Sequence, residues 1–229
     1  NATGAAFRQL GGSISSTAGS AIVFASGSGA TYVWLENTSV QSNAPLGAGP
    51  DGYAAGLVAY SMAEAANLVA TGSQLNGPVG IDGPGRLWLT LNNSQWNTGG
   101  DPASANANWL TGISGSGTIT LPDIKDRITL TGAPAGVFSE TGCGSAALTL
   151  VVPTNQAAPP SSPHPVMVCQ NASSHPSLTL QNGAVVLGGY SYTLETEVAG
   201  GRAVYQLVRG APAAPASSVP TLANWGLLL

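Results

Sequence analysis

Six basic and ten acidic residues are all the charge that a chain of 229 residues carries. That is 7% of the sequence, against about 25% in an ordinary soluble domain. The surface must therefore be built mainly from Ser, Thr, Asn, Gly and Ala. So little charge usually accompanies a membrane span or disorder, and this sequence fits neither. It contains no run of about 18 apolar residues to cross a bilayer as a helix. Disorder needs low hydrophobicity and high net charge, whereas 43% of the residues are hydrophobic and the net charge is −4. A chain of this kind folds, and its weakly charged surface does little to keep copies apart. Arg8, Arg86, Lys125, Arg127, Arg202 and Arg209 are too few and too scattered to neutralise phosphates, so no nucleic-acid partner is expected. A basic membrane-surface helix is excluded on the same count.

The hydrophobic pattern is mostly that of short strands. Residues 20–25 and 31–36 flank a Ser-Gly-Ser-Gly turn and read as a hairpin. Further strands are expected at 87–91, 118–121, 127–130, 146–152, 166–169, 177–180, 184–187, 190–197 and 203–208. The Pro-rich loop 153–165 interrupts an expected pair, 146–152 with 166–169. Residues 92–108 read as a polar loop holding Trp96, with Trp109 at its end. Residues 53–70 differ, being alanine-rich. Leu57, Tyr60, Met62, Ala65, Leu68 and Val69 follow rough helical spacing, and Gly72 stands where a C-cap belongs. The fold class that follows is all-β, mainly an antiparallel β-sandwich of jelly-roll or Ig-like type, with one α-helix near 53–70. A single domain is expected over 1–210, followed by a Pro/Ala linker and an apolar C-terminal segment over 211–229. No internal repeat stands out.

Cys143 and Cys169 are the only cysteines. An even count in a chain that otherwise looks extracellular predicts one disulfide. Asn1 in place of Met, followed by small residues, points to a removed leader. The last residues, Val219-Pro220-Thr221-Leu222-Ala223-Asn224-Trp225-Gly226-Leu227-Leu228-Leu229, resemble the start of the IPTL-CTERM sorting signal of Gram-negative bacteria. Pro220, Thr221, Leu222, Trp225 and Gly226 carry the match, while Ala223 and Asn224 replace the usual Ser-Glu. The resemblance covers only these residues. It implies export, processing and display at the cell surface, with membrane contact only before processing.

No familiar chemistry assembles. The Gly-x-Ser-x-Gly nucleophile elbow is missing. His164 and His175 both precede proline and read as loop histidines rather than members of a triad. Their spacing around Cys169 is not a zinc pattern. Asp51, Asp82, Asp123 and Asp126 lie in turns, where Asp is commonly structural rather than a calcium ligand. Glu195 and Glu197 share one face of a strand and read as a solvated or salt-bridged face, with Arg202 and Arg209 nearby in sequence. No enzyme activity, cofactor or metal is expected. Trp34 and Trp88 read as core, whereas Trp96 and Trp109 are the candidates for stacking on glycans.

The composition favours self-assembly. An extended apolar segment can add as a strand to a neighbouring sheet. Phe7, Leu10, Ile14, Ile22 and Val23 in one terminal segment, or Val219, Leu222, Trp225, Leu227 and Leu229 in the other, are the candidate subunit contacts. The function expected from sequence is thus an exported bacterial surface protein, a filament- or matrix-forming homopolymer held by strand exchange. The alternatives are a glycan-binding adhesin module and a virion or phage-fibre protein.

Overall fold

A computed structural model describes residues 6–17, 20–24, 31–42, 58–60, 65–81, 85–99 and 108–213. Among them every regular element is a β-strand. The first three turns of chain each supply three strands. These are β1 (Ala6–Leu10), β2 (Ser13–Ser16) and β3 (Ile22–Phe24), then β4 (Thr31–Glu36), β5 (Ser39–Ser42) and β6 (Val58–Tyr60), then β7 (Ala65–Thr71), β8 (Gln74–Asn76) and β9 (Val79–Ile81). The next turns are β10 (Arg86–Asn97) with β11 (Trp109–Leu110), β12 (Gly112–Thr120) with β13 (Ile128–Leu130), and β14 (Ala147–Val151) with β15 (His164–Cys169). After β16 (Ser177–Leu180) comes an antiparallel cap of β17 (Ala184–Leu187), β18 (Tyr190–Ala199) and β19 (Arg202–Pro212).

The pairing is that of a parallel β-solenoid. β1, β4, β7, β10, β12, β14 and β16 lie side by side, all parallel. A second wall is made by β2, β5, β8 and the later part of β10. A third runs through β3, β6 and β9, and β11, β13 and β15 continue the same succession of parallel pairs. The antiparallel sandwich is therefore wrong. The expected hairpin of 20–25 with 31–36 does not form, and the turn expected at 26–29 lies outside the described residues. Instead β3 pairs with β6, while β4 pairs with β1 and β7. Likewise β14 pairs with β12 and β16, not with β15. Among the described strands the antiparallel pairs are those of the cap, which β19 closes onto β15.

The helix near 53–70 is also overturned where the structure describes it. Ala66, Leu68 and Ala70 are fully buried and alternate with less buried neighbours. That is the period of a strand, and β4 and β10 satisfy its backbone from both sides. Small side chains suited the coil interior, and pairing on both edges overrode the helical propensity of alanine. Residues 53–57 and 61–64 lie outside the described residues. The loop expected at 92–108 begins later, because β10 runs on to Asn97.

The core is a set of ladders parallel to the solenoid axis. Ile14, Val40, Leu75, Trp96, Ile119, Leu150 and Leu180 are successive partners across seven strands. A second ladder runs Val33, Leu68, Leu89, Ile113. A third joins Leu110, Leu130, Cys169 and Ala203. Each fully buried aliphatic side chain contributes about 1.5–3 kcal/mol, so the ladders are the dominant favourable term. The Cys143–Cys169 disulfide joins the third wall to the chain leading into β14. Its sulfurs are buried within the core, as the cysteine count predicted.

The corner between the first two walls explains the polar residues inside. Asn37, Gly72 and Asn93 stack there with φ of 49°, 58° and 48°. Glycine and asparagine tolerate this left-handed turn best. The residue after each turn points inward: Thr38, Ser73 and Ser94 are all buried. The Thr38 N–H donates to Ser73 Oγ at 3.1 Å, and the Ser73 N–H to Ser94 Oγ at 3.0 Å. Ser73 Oγ in turn reaches the Leu35 carbonyl at 3.2 Å. The hydroxyls thus pair the backbone groups that the corner leaves out of the ladder.

A polar groove and an aromatic patch on the solenoid wall

The outward surface of the first two walls carries the candidate site. Where β10 turns the corner, Asn92 pairs with Ser116 and Ser94 with Gly117, so Asn93 is an extra residue without a partner on β12. Such a bulge bends the strand and re-aims side chains. Beside it lies an open groove of about 310 Å³, lined by Asn93, Gln95, Ser116, Thr118, Ala147 and Thr149 among others. Asn93, Gln95, Ser116 and Ala147 are exposed, and Thr118 and Thr149 half-buried. The lining offers hydroxyls, amides and backbone groups and contains no ionisable side chain. Its floor is rigid, because Leu91, Trp96, Ile119, Leu148 and Leu150 beneath it are buried.

Further along the first wall lies an aromatic patch. Alternation in β4 sends Val33 and Leu35 inward and Tyr32, Trp34 and Glu36 outward. The Tyr32 and Trp34 rings stack with centroids 5.4 Å apart and planes 10° apart. Tyr32 is 39% exposed. Arg8 Nη2 donates to Glu36 Oε1 at 2.6 Å. Trp88 faces outward too, but it is covered: Phe138 packs on it at 5.1 Å, and its Nε1–H donates to Ser114 Oγ at 3.0 Å.

The sequence candidates fare unevenly. Trp96 is wholly buried within a core ladder and donates from Nε1 to the Gly77 carbonyl at 3.1 Å. It cannot stack on a glycan, because its segment is a strand rather than the expected loop and turns it inward. Trp109 is half-buried on β11 of the third wall, so the two tryptophans do not make one site. Trp34, read as core, faces outward instead. Phe7, Leu10 and Val23 are exposed at 49%, 64% and 51% on the first coil, and Ile14 and Ile22 pack partly against the core. Val219, Leu222, Trp225, Leu227 and Leu229 lie outside the described residues. The one sequence signal for the groove is alternation: Thr118-Ile119-Thr120 and Thr149-Leu150 run polar-out and apolar-in.

The titratable groups do not converge on the groove. Among the described residues no three His, Cys, Asp or Glu side chains cluster as metal ligands. His164 Nε2 is bonded to the Ile124 carbonyl at 2.8 Å, and His175 Nδ1 to the Tyr205 hydroxyl at 2.9 Å. The Tyr205 hydroxyl donates to the Pro176 carbonyl, and burial raises its pKa. Glu195 and Glu197 are exposed on β18 opposite Gln206 and Val204, while Arg209 lies over the Tyr190 ring at 4.8 Å. Asp126 is 2% exposed. Burial, helped by nearby Asp123, pushes its carboxyl up to about 6, against the hydrogen bonds from Thr98 and the backbone. The groove lining can hold a neutral, hydrogen-bonding ligand.

No protein-family model and no curated protein matches this chain. Among solved structures, the crystal structure of the Haemophilus influenzae Hap adhesin is similar over 90% of this chain at 17% identity, with a TM-score of 0.41. This chain spans 23% of that protein's length.

Proposed function

We propose that the protein is an extracellular binding module that holds a neutral glycan in the polar groove on its solenoid wall. The observation that carries this reading is the groove itself: amides and hydroxyls on a rigid, uncharged floor. Sugars offer donors and acceptors in every direction and no charge, so such a lining suits them. Burying their hydroxyls against unpaired groups would be costly, which makes a matched polar lining selective. The disulfide supports an oxidising location outside the cytosol. The test is a screen of neutral oligosaccharides by array and calorimetry, repeated on Thr118→Val and Gln95→Ala. Gln95 is exposed and Thr118 half-buried on the outer face, so the fold should hold. A saturable ligand whose affinity falls about tenfold in each variant supports the proposal. A full screen without binding, or variants that bind as the parent does, overturns it.

Self-association is a second reading, and the exposed Phe7, Leu10 and Val23 favour it. Large apolar side chains left exposed on an end coil are surface that an interface can bury. Sedimentation of the protein and of a Phe7→Ser, Leu10→Ser, Val23→Ser variant decides it. A concentration-dependent assembly lost in the variant supports subunit contacts there, and a monomer in both cases rejects them.

A further inference from the structure

We infer that the ligand of the groove is a chain, an extended β-linked neutral polysaccharide lying along the solenoid axis from the groove to the Tyr32–Trp34 patch. This rests on the groove reading above and specifies its ligand. The evidence is a single outward column. Glu36, Thr71, Asn92, Ser116, Ala147 and Ser177 are successive partners across six strands. Two of them, Ser116 and Ala147, line the groove. Thr71 and Asn92 continue it as small polar groups, with Asn92 Nδ2 3.5 Å from Thr71 Oγ1. No aromatic or long aliphatic side chain stands in this column between the groove and β4. Ala147 lies four strand steps from Glu36, about 19 Å at the usual strand spacing.

The column ends in a different chemistry. Trp34 lies two residues before Glu36 on the same outward face, next to Tyr32. Arg8, in register with Trp34, bonds to Glu36 and closes the path with a charged pair. One strand step, about 4.8 Å, is close to the length of one sugar in an extended β-linked chain. A polysaccharide along this line therefore meets a fresh polar side chain at nearly every sugar and a ring pair at its far end. A lone sugar could use only the groove.

The test uses β-1,4-linked glucose and N-acetylglucosamine oligomers from the disaccharide to the octasaccharide, titrated into the intact protein. The expected result is affinity that climbs with length and then levels off once the chain reaches Trp34. Trp34→Ala is expected to flatten the upper part of the series, costing the longest oligomer about tenfold. Ala147→Trp, a filled groove at an exposed position, is expected to abolish binding at every length, and it serves as the check if Trp34→Ala does not fold. Binding that is independent of length, or a length series unaltered by Trp34→Ala, overturns the axial chain while leaving the groove as a site. No binding of any oligomer overturns the axial chain, and the array screen of neutral oligosaccharides then decides the groove reading by itself.

Discussion

Trp88 and Gly112 are partners across β10 and β12, and the indole fills the space a side chain at 112 would need. A Cβ on Gly112 would lie 2.3 Å from Trp88 Cζ3. The ring cannot swing away freely, since its Nε1–H is bonded to Ser114 and Phe138 lies against it. Gly112→Ala should therefore destabilise the protein by about 1–3 kcal/mol, as overpacking does. In a Trp88→Leu background the same change should cost less. Denaturant titration of the double-mutant cycle measures this, and equal costs in both backgrounds would refute the contact.

The corner hydroxyls give a second expectation. Ser73 Oγ accepts from the Thr38 N–H and reaches the Leu35 carbonyl inside the coil. Ser73→Ala leaves a buried amide without its partner, so a loss of about 1–3 kcal/mol is expected. Ser73→Thr, which keeps the hydroxyl, should recover part of it. Urea denaturation midpoints of the two variants distinguish lost bonding from altered packing.

The disulfide spans 26 residues. Chain entropy makes a loop of that size worth about 3–4 kcal/mol. Cys143→Ala with Cys169→Ala should lower stability by an amount of that order. Because the bridge is tied into the core rather than the groove, ligand affinity at a temperature where the variant is folded should be unchanged. A calorimetric melt and a titration on the same sample check both statements.

Asp126 makes stability depend on pH. Its folded carboxyl titrates near 6, above the unfolded value of about 3.9. Between those values the folded protein holds the extra proton, so stability falls as pH rises from about 4 to about 6 and levels off beyond. The loss is at most about 3 kcal/mol. Asp126→Asn, which keeps an acceptor for the Thr98 hydroxyl bond, should flatten this slope. Stability measured across that interval tests it, and a rise with pH that Asp126→Asn removes would reverse the assignment.

Local alternation was legible in the sequence, and the way strands were strung together was not. Thr31–Glu36 and Ser177–Leu180 appear where the β-branched and aliphatic residues placed them. The solenoid was hidden because its coils differ in length. Val33 to Leu68 is a step of 35 residues and Leu68 to Leu89 one of 21. No fixed period marks them, and corner turns use the same Gly, Asn and Ser as hairpin turns. The site was half legible for the same reason. With Val33 and Leu35 inside, Tyr32 and Trp34 had to face out. Nothing local revealed that Ser116, Asn92 and Thr71 would fall into one column, since that depends on registers between coils.

Trp96 shows how the difference between a core aromatic and a binding aromatic can be measured. It is wholly buried between Leu75 and Ile119 in its ladder, with its N–H on the Gly77 carbonyl. Trp96→Ala opens a large cavity beneath the groove and should cost about 3–5 kcal/mol. Any binding it loses would follow the melting of the fold. Trp96→Phe keeps most of the volume and strands one carbonyl, so about 1–3 kcal/mol is expected, with groove affinity nearly retained. Thr118→Val should do the reverse, leaving stability close to the parent and weakening the ligand, because its hydroxyl faces the groove rather than the core. Melting curves and titrations on the two variants side by side separate the roles. A Trp96→Phe protein that keeps its stability and loses its ligand would mean that the ring reaches the groove after all.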